Sequence, residues 1–266
     1  MNIQQYVGRT ARSVLEKRVA NSWFLRRAQD TADRSQRISL LKAFESIAQT
    51  VKCEHTAREM LVMADYILTK APPGPLVECG CYQGGSSAKL SLVAARTGRK
   101  LYVCDSFQGL PGVSQKEASF RSISGAFNGF GQGQYSAQLE VVRSNIAAAG
   151  GDLSVCEFVE GFFCDSLPNL NIEPAFIFSD ADLISSTRDV LRFLWPRLRP
   201  GGRFYTHDAN LPELIEGVFD AEFWVKEIGF YPPVVFGAGY GCGLFAGGIA
   251  YCEKKSSGAV RGCDFA

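Results

Sequence analysis

The stretch Leu76–Ser87, LVECGCYQGGSS, constrains the rest of the chain most. It opens apolar at Leu76 and Val77 and reaches an acid at Glu78. Glycines then fall at Gly80, Gly84 and Gly85 before Ser86 and Ser87 lead into an apolar-periodic run. That order describes a buried strand, a tight turn and a helix N-terminus. Glycine admits positive φ and close approach to the main chain, and the first helical turn offers unpaired N–H groups to a ligand. The spacing is Glu-x-Gly-x-x-x-Gly, not the Gly-x-Gly-x-x-Gly of a dinucleotide site. A second strand, Lys100–Cys104, ends on Asp105, 25 residues after Gly80. An acid there suits the two hydroxyls of a ribose. The glycine turn alone is a weak signal; together with Asp105 it indicates a nucleoside-containing cofactor.

From Gly74 onward strands and helices alternate. Strands are expected at Pro75–Cys79, Leu101–Cys104, Ser154–Val159, Ala175–Phe178 and Arg203–Thr206, with a final hairpin through Val234–Phe236 and Phe245–Cys252. Helices are expected at Ser86–Arg96, Tyr135–Ala149, Ser185–Leu198 and Glu213–Ile228. Repeated strand–helix units argue for an α/β fold, a doubly wound and mostly parallel sheet with helices on both faces. Ligands of such sheets bind beyond the carboxyl ends of the strands, and Glu78, Asp105, Asp180 and Asp208 all fall at such ends. Upstream, Ile38–Lys52 and Thr56–Lys70 read as two amphipathic helices, closed by Ala71-Pro72-Pro73-Gly74. The basic residues before Arg37 are scattered rather than blocked, which fits a helical extension packed on the core or on a second subunit. The expected organisation is an N-terminal helical extension over 1–73, a main domain over 74–255 and a tail over 256–266. Ser106–Gln134, rich in Gly, Ser and Phe, is too long for a plain connection and reads as a lid over an acceptor substrate.

Twenty-eight basic residues against 27 acidic ones give no field directed at nucleic acid. The nine cysteines form no Cys-x-x-Cys pair and sit mostly in apolar strands, as reduced thiols of a cytoplasmic protein would. Met1–Arg18 lacks the apolar core of a signal peptide, and no run is long enough to span a membrane.

The run Phe176–Asn210 carries the most specific chemistry. One strand ends in Ser179-Asp180-Ala181-Asp182 and the next in His207-Asp208, so adjacent parallel strands would gather these side chains beside the cofactor. Two carboxylates with an imidazole or a further carboxylate can hold a divalent cation. Oxygen donors favour Mg²⁺ or Ca²⁺, whereas a histidine admits Mn²⁺, Zn²⁺ or Fe²⁺. Capping of the following helix accounts for one of these acids, not for several converging. His55, between two helices, reads as a surface or capping residue, which leaves His207 as the histidine placed to act as base or ligand.

With these residues in view, the chain resembles the macrocin O-methyltransferase (TylF) family of S-adenosylmethionine-dependent enzymes. Val77–Ser87, Asp105–Pro111 (DSFQGLP), Glu160–Pro168 and Ser179–Asp208 carry the resemblance. It implies a class I methyltransferase fold with a seven-stranded sheet, and methylation of a sugar or other hydroxyl of a small secondary metabolite with Mg²⁺ or another divalent cation. It also implies that Glu78 and Gly80 lie by the methionine part of the cofactor, Asp105 by the ribose, and Gly161 and Phe162 by the adenine. Tyr82, Gly84, Ser86, Ser106 and Asp180 complete the expected cofactor-binding set. Asp180, His207 and Asp208 are the expected metal ligands, and His207 and Asp180 the expected catalytic pair. The family usually has Asp-Asp where this chain has His207-Asp208, so the metal could be kept, exchanged or lost. In the last case His207 acts as the base without a metal, or the protein is a non-catalytic cofactor-binding relative. A homo-oligomer through the N-terminal helices is a further expectation. An NAD-dependent oxidoreductase lacks its glycine fingerprint here, and an α/β-hydrolase lacks its Gly-x-Ser-x-Gly elbow.

Overall fold

The structure, a computed structural model, describes residues 3–238 and 248–256, with side chains from Val14 onward. Three helices precede the sheet: α1 (Ile3–Arg26), α2 (Thr31–Thr50) and α3 (Ala57–Thr69). The second begins seven residues before the expected Ile38, whereas the third falls within the expected Thr56–Lys70. Asp30 caps α2 through Asp33 N. Thr56 and Glu59 form a reciprocal capping box at the start of α3, which satisfies two otherwise orphaned N–H groups and fixes how the chain enters the helix.

The sheet runs β1 (Leu76–Cys79), β2 (Leu101–Asp105), β3 (Cys156–Glu160), β4 (Phe176–Ser179), β5 (Arg203–Thr206) and β6 (Ala250–Glu253). The spatial order is β3-β2-β1-β4-β5-β6, parallel except for β6 against β5. Six strands are formed among the described residues, where seven were expected. The Val234–Phe236 arm of the expected hairpin makes only an isolated bridge, Phe236 to Tyr251. Residues 245–247 of its other arm lie outside the described residues. Pro232 and Pro233 remove two ladder donors just ahead of that arm.

Helices α4 (Gly85–Arg96), α5 (Leu139–Ala148), the short α6 (Phe163–Ser166), α7 (Ile184–Leu194), α8 (Pro212–Val218) and α9 (Ala221–Phe223) connect the strands. The single helix expected over Glu213–Ile228 is broken. Asp220 caps a new start by accepting from Phe223 N, and α9 runs on as a π turn, Trp224–Ile228, ending at Gly229 in the left-handed region. Strand alternation divides the core into two layers. Leu76, Phe176, Phe178 and Tyr205 pack with Phe24, Phe44, Ile47, Met60 and Ile67 of the first three helices. Val77, Ile177 and Phe204 face Val190, Leu194, Leu214 and Trp224 on the other side. Tyr66 Oη donates to Gly201 O at 2.6 Å across this first layer. No helix among the described residues is long and apolar enough to cross a membrane.

The chain leaves β1 toward β2 and β3 on one side and returns to β4, β5 and β6 on the other. The order therefore reverses between β1 and β4, the crevice where open α/β sheets bind ligands.

Candidate active site

Strand register builds the site. Cys79 pairs with Cys104 and Ser179, and Ser179 pairs with Thr206, so the next residue of each strand emerges at one level. Gly80 N donates to Cys104 O (2.9 Å), Asp180 N to Cys79 O (2.8 Å) and His207 N to Ser179 O (2.8 Å). A Cβ on Gly80 would lie 2.0 Å from Asp180 O. The close approach of β1 and β4 therefore leaves room only for glycine at this position.

Beyond these ends opens a cavity of about 620 Å³, within the usual range for a small-molecule site. Gly80, Tyr82, Ser86, Asp105, Ser106, Phe162 and Asp180 of the expected cofactor set line it, as do His207 and Asp208. Glu78, Gly84 and Gly161 stand behind its wall. Gly84 caps α4 at φ 86° and packs on Val142 and Ile146 of α5. Gly161 N donates to Asp105 O at 3.0 Å. Glu78 accepts from Ser87 Oγ, while its Oε1 is buried without a hydrogen-bond partner. Burial pushes its carboxyl up to about 7 despite the Ser86 and Ser87 hydroxyls.

Asp105 accepts from Cys81 N (2.7 Å) through one oxygen and Phe107 N (2.8 Å) through the other. Each oxygen keeps a lone pair for a ribose hydroxyl. The Ser106–Gln134 segment is hydrogen-bonded into the wall. Buried Glu117 accepts from Ile184 N at 2.9 Å, and Phe120 and Phe130 are buried whereas Phe127 is exposed.

Asp180 is the hub. Its Oδ2 meets His55 Nε2 at 2.9 Å and its Oδ1 meets His207 Nδ1 at 3.0 Å; His207 Nδ1 is also 3.5 Å from Asp208 Oδ1. The two imidazole rings stand edge to face with centroids 4.7 Å apart. His55 is therefore no surface residue: its side chain is 5% exposed, and the expectation that left His207 alone is corrected. Thr56 anchors the start of α3, and the packing of the first three helices on the sheet brings the residue before it to Asp180. Behind His55, Cys53 Sγ lies 3.4 Å from Nδ1 and 3.3 Å from Lys89 Nζ.

Ligand atoms gather as two triads that share Asp180: His55–Asp180–His207 and Asp180–Asp182–Asp208. The expected ligands Asp180, His207 and Asp208 are divided between them. Asp182 and Asp208 both sit at positive φ, 60° and 54°, a backbone state that costs non-glycine residues and clusters at functional sites. Burial would raise the Asp180 carboxyl, but the charges of His207 and His55 overrule it and hold it well below the usual carboxylate range. Burial would likewise lower both imidazoles, yet Asp180 raises His55 to about 10 and, with Asp208, lifts His207 well above 6.5. Asp182 is pushed well up by burial and by the neighbouring charges of Asp208 and Asp180. Three carboxylates crowded so closely call for positive charge, and oxygen and nitrogen donors are both present, so the residues fit a divalent cation. They fit the cofactor as well: Asp105 has free lone pairs at the cavity wall, and the acidic surroundings suit a sulfonium.

Residues 4–220 match the macrocin O-methyltransferase (TylF) family. The 8-demethyl-8-(2,3-dimethoxy-α-L-rhamnosyl)-tetracenomycin-C 4'-O-methyltransferase of Streptomyces olivaceus is 32% identical over 66% of this chain and 68% of its own. The mycinamicin III 3''-O-methyltransferase of Micromonospora griseorubida is 29% identical over 56% and 60%. The demethyldecarbamoylnovobiocin O-methyltransferase of Streptomyces niveus is 31% identical over 51% and 53%, so the matched region spans little more than half of that relative. In fold the chain resembles the O-methyltransferase NovP (TM-score 0.56, 22% identity, 81% of this chain and 80% of NovP). It also resembles a calicheamicin methyltransferase (TM-score 0.54, 15% identity, 85% and 94%). With the family match covering most of its length, the chain belongs to the macrocin O-methyltransferase family of S-adenosylmethionine-dependent O-methyltransferases.

Proposed function

We propose that this enzyme methylates a hydroxyl of a sugar borne by a small secondary metabolite, with the help of a divalent cation at the carboxyl ends of β4 and β5. The observation that carries the reading is the meeting of Asp180, Asp182, His207 and Asp208 in the cavity that Gly80 and Asp105 also line. A bound cation would lower the pKa of an acceptor hydroxyl and fix its direction. The chain's own part is alignment, since in-line displacement depends on orienting the acceptor oxygen to the methyl carbon. The acceptor oxygen forms the new C–O bond as the C–S bond breaks, the electron pair goes to sulfur, and S-adenosylhomocysteine results. The hydroxyl proton passes to a side chain at the strand ends. His207 Nδ1, between Asp180 and Asp208, can take that proton or bind the cation, but one lone pair cannot do both. Asp105 holds the ribose, with Tyr82, Ser86, Ser106 and Phe162 around the rest of the cofactor.

The sugar reading draws on the relatives, one of which acts on a rhamnosyl compound, and on charge. Seven carboxyl side chains line the cavity against one lysine, Lys52, and two histidines among the described residues. Lys52 itself is paired with Glu54 at 2.6 Å. Such a wall favours the cationic cofactor and a neutral acceptor over one carrying phosphate.

Calorimetric titration with S-adenosylhomocysteine, after EDTA and then with Mg²⁺ or Mn²⁺, tests this. Cofactor binding with a separate metal response that vanishes in Asp180→Ala is expected. Absence of any cofactor binding would remove the methyltransferase assignment, and binding without a metal response would move catalysis to an unassisted imidazole.

A further inference from the structure

We infer that His55, Asp180 and His207 form a transition-metal site, and that the cation assisting methyl transfer is held there by two imidazoles rather than by carboxylates alone. The inference rests on the proposed methyl transfer for its catalytic meaning; metal binding itself is a separate property.

The donor set comes first. His55 Nε2 and His207 Nδ1 approach different oxygens of Asp180 at 2.9 and 3.0 Å, and the ligand atoms of the three side chains lie within 4.8 Å of one another. Metal–donor bonds of ~2.0–2.2 Å separate neighbouring donors by roughly 3–3.5 Å, so little movement separates this arrangement from a coordinated one. Two nitrogens and one carboxylate suit Zn²⁺, Fe²⁺ and related ions, whereas Mg²⁺ seeks oxygen.

The surroundings form a supporting layer. Ligating histidines commonly bind a second partner through the other ring nitrogen, which fixes tautomer and orientation. His55 Nδ1 faces Cys53 Sγ at 3.4 Å, and Lys89 Nζ stands 3.3 Å from the same sulfur. With Nδ1–H directed at that sulfur, Nε2 is the nitrogen that would face a cation taking the place of the proton it now shares with Asp180. His207 backs onto Gly248, where a Cβ would lie 2.8 Å from Nε2, so its Nδ1 is turned toward Asp180. Both imidazoles are largely buried, 5% and 16% exposed, while Asp180 is 21% exposed and lines the cavity. An ion held by these three side chains would stand at the wall of the cavity that they line.

The oxygen triad and the nitrogen triad compete for Asp180, which makes the choice between them measurable.

The test is titration of the metal-stripped full chain with Co²⁺, followed by visible absorption, with Mg²⁺ as competitor. One Co²⁺ per chain is expected, with the strong d–d bands of a low-symmetry site containing nitrogen, retained in ~1000-fold excess of Mg²⁺. His55→Gln and His207→Gln should each weaken Co²⁺ binding by at least ~10-fold, and Asp182→Asn should leave it unchanged. Retained S-adenosylhomocysteine binding shows that each variant is folded. The weak spectrum of an all-oxygen ion or displacement by Mg²⁺ in the unmodified protein would overturn the inference without need of any variant. Unchanged affinity in folded His55→Gln would overturn it equally. Loss of cofactor binding beside an intact cobalt site would sink the methyltransferase reading instead.

Discussion

Two clusters of buried charge lie on the same side of the sheet, and they are built on opposite principles. In the helical layer, Arg37 has a fully buried side chain and reaches Asp65 at 2.9 Å and Asp33 at 3.1 Å. Arg27 meets the other oxygen of Asp65 at 2.5 Å. Two guanidiniums face two carboxylates, the Arg37 guanidinium stacks over Phe24 with its carbon 4.6 Å from the ring centroid, and Arg37 also donates to Phe24 O. At the strand ends, three carboxylates crowd two imidazoles, and two of the acids sit on strained backbone. Arginine keeps its charge at any ordinary pH, so the helical cluster is balanced, two guanidiniums against two carboxylates. Histidine titrates, and the strand-end cluster has an acid in surplus, so it remains responsive to protons and cations.

The largest expected effect separates the two outright. Asp180→Ala removes the hub of the strand-end cluster and should lower turnover by ~10³-fold or more, about 4 kcal/mol of barrier. The thermal midpoint should change far less than that figure suggests, because relieving carboxylate crowding offsets the lost imidazole contacts. Steady-state kinetics beside calorimetry checks it. Asp65→Ala is the mirror image. It leaves Arg37 buried without its main partner and should cost ~3–5 kcal/mol of stability, read as a lower denaturant midpoint, with cofactor affinity unchanged at temperatures where the protein is folded.

How much of this was legible in the chain follows the same division. The glycine turn, Asp105 and the Asp180–Asp208 run gave the α/β sheet and the strand-end acids, because sequence spacing dictates what sits at a strand's end. His55 escaped that logic. Its neighbours Thr56 and Glu59 spell a capping box, which marks a helix start but not the direction of the residue before it. Only the packing of α3 on β1 and β4 brings His55 to Asp180, 125 positions away. Among the described residues the seventh strand is reduced to a single bridge at Phe236, after a Pro-Pro pair that removes ladder donors. The broken helix at Asp220 is local too, since an aspartate that caps a new start interrupts a run whose apolar spacing looks continuous.

A smaller effect tests the titration contrast. In metal-free protein Asp180 raises His55 to about 10 from an ordinary value near 6.5. A folded-state pKa above the unfolded one means that the protonated imidazole stabilises the fold. That contribution is complete below about pH 6.5 and is lost as pH rises toward 10, with a slope of at most ~1.4 kcal/mol per pH unit for one proton. Urea titrations across that window should show the decline, and His55→Gln should make it shallower, leaving the part that comes from His207, which Asp180 and Asp208 also lift. A decline of equal size in His55→Gln would mean that His55 does not carry a titrating charge of the strand-end cluster.

The smallest effect probes a residue that joins the capping box to the strand-end site. Glu59 accepts from Thr56 N (2.7 Å) through Oε2, closing the capping box beside His55, and from Gly248 N (2.6 Å) through Oε1, seating the glycine that backs His207. A glutamine at that position keeps one acceptor oxygen and so can serve only one of the two amides. Glu59→Gln should therefore cost about 1 kcal/mol of stability, as loss of a cap does. Yet one of the two histidines loses its support, and turnover should fall by roughly 10-fold, the scale of a disturbed supporting contact around a metal ligand. Thr56→Ala should cost a similar amount of stability while leaving Gly248 seated, so its effect on turnover should be the milder of the two. If both variants lose stability alike but neither changes turnover, the helical layer only carries the site. If Glu59→Gln alone slows the reaction, the capping glutamate sets the distance between the two imidazoles.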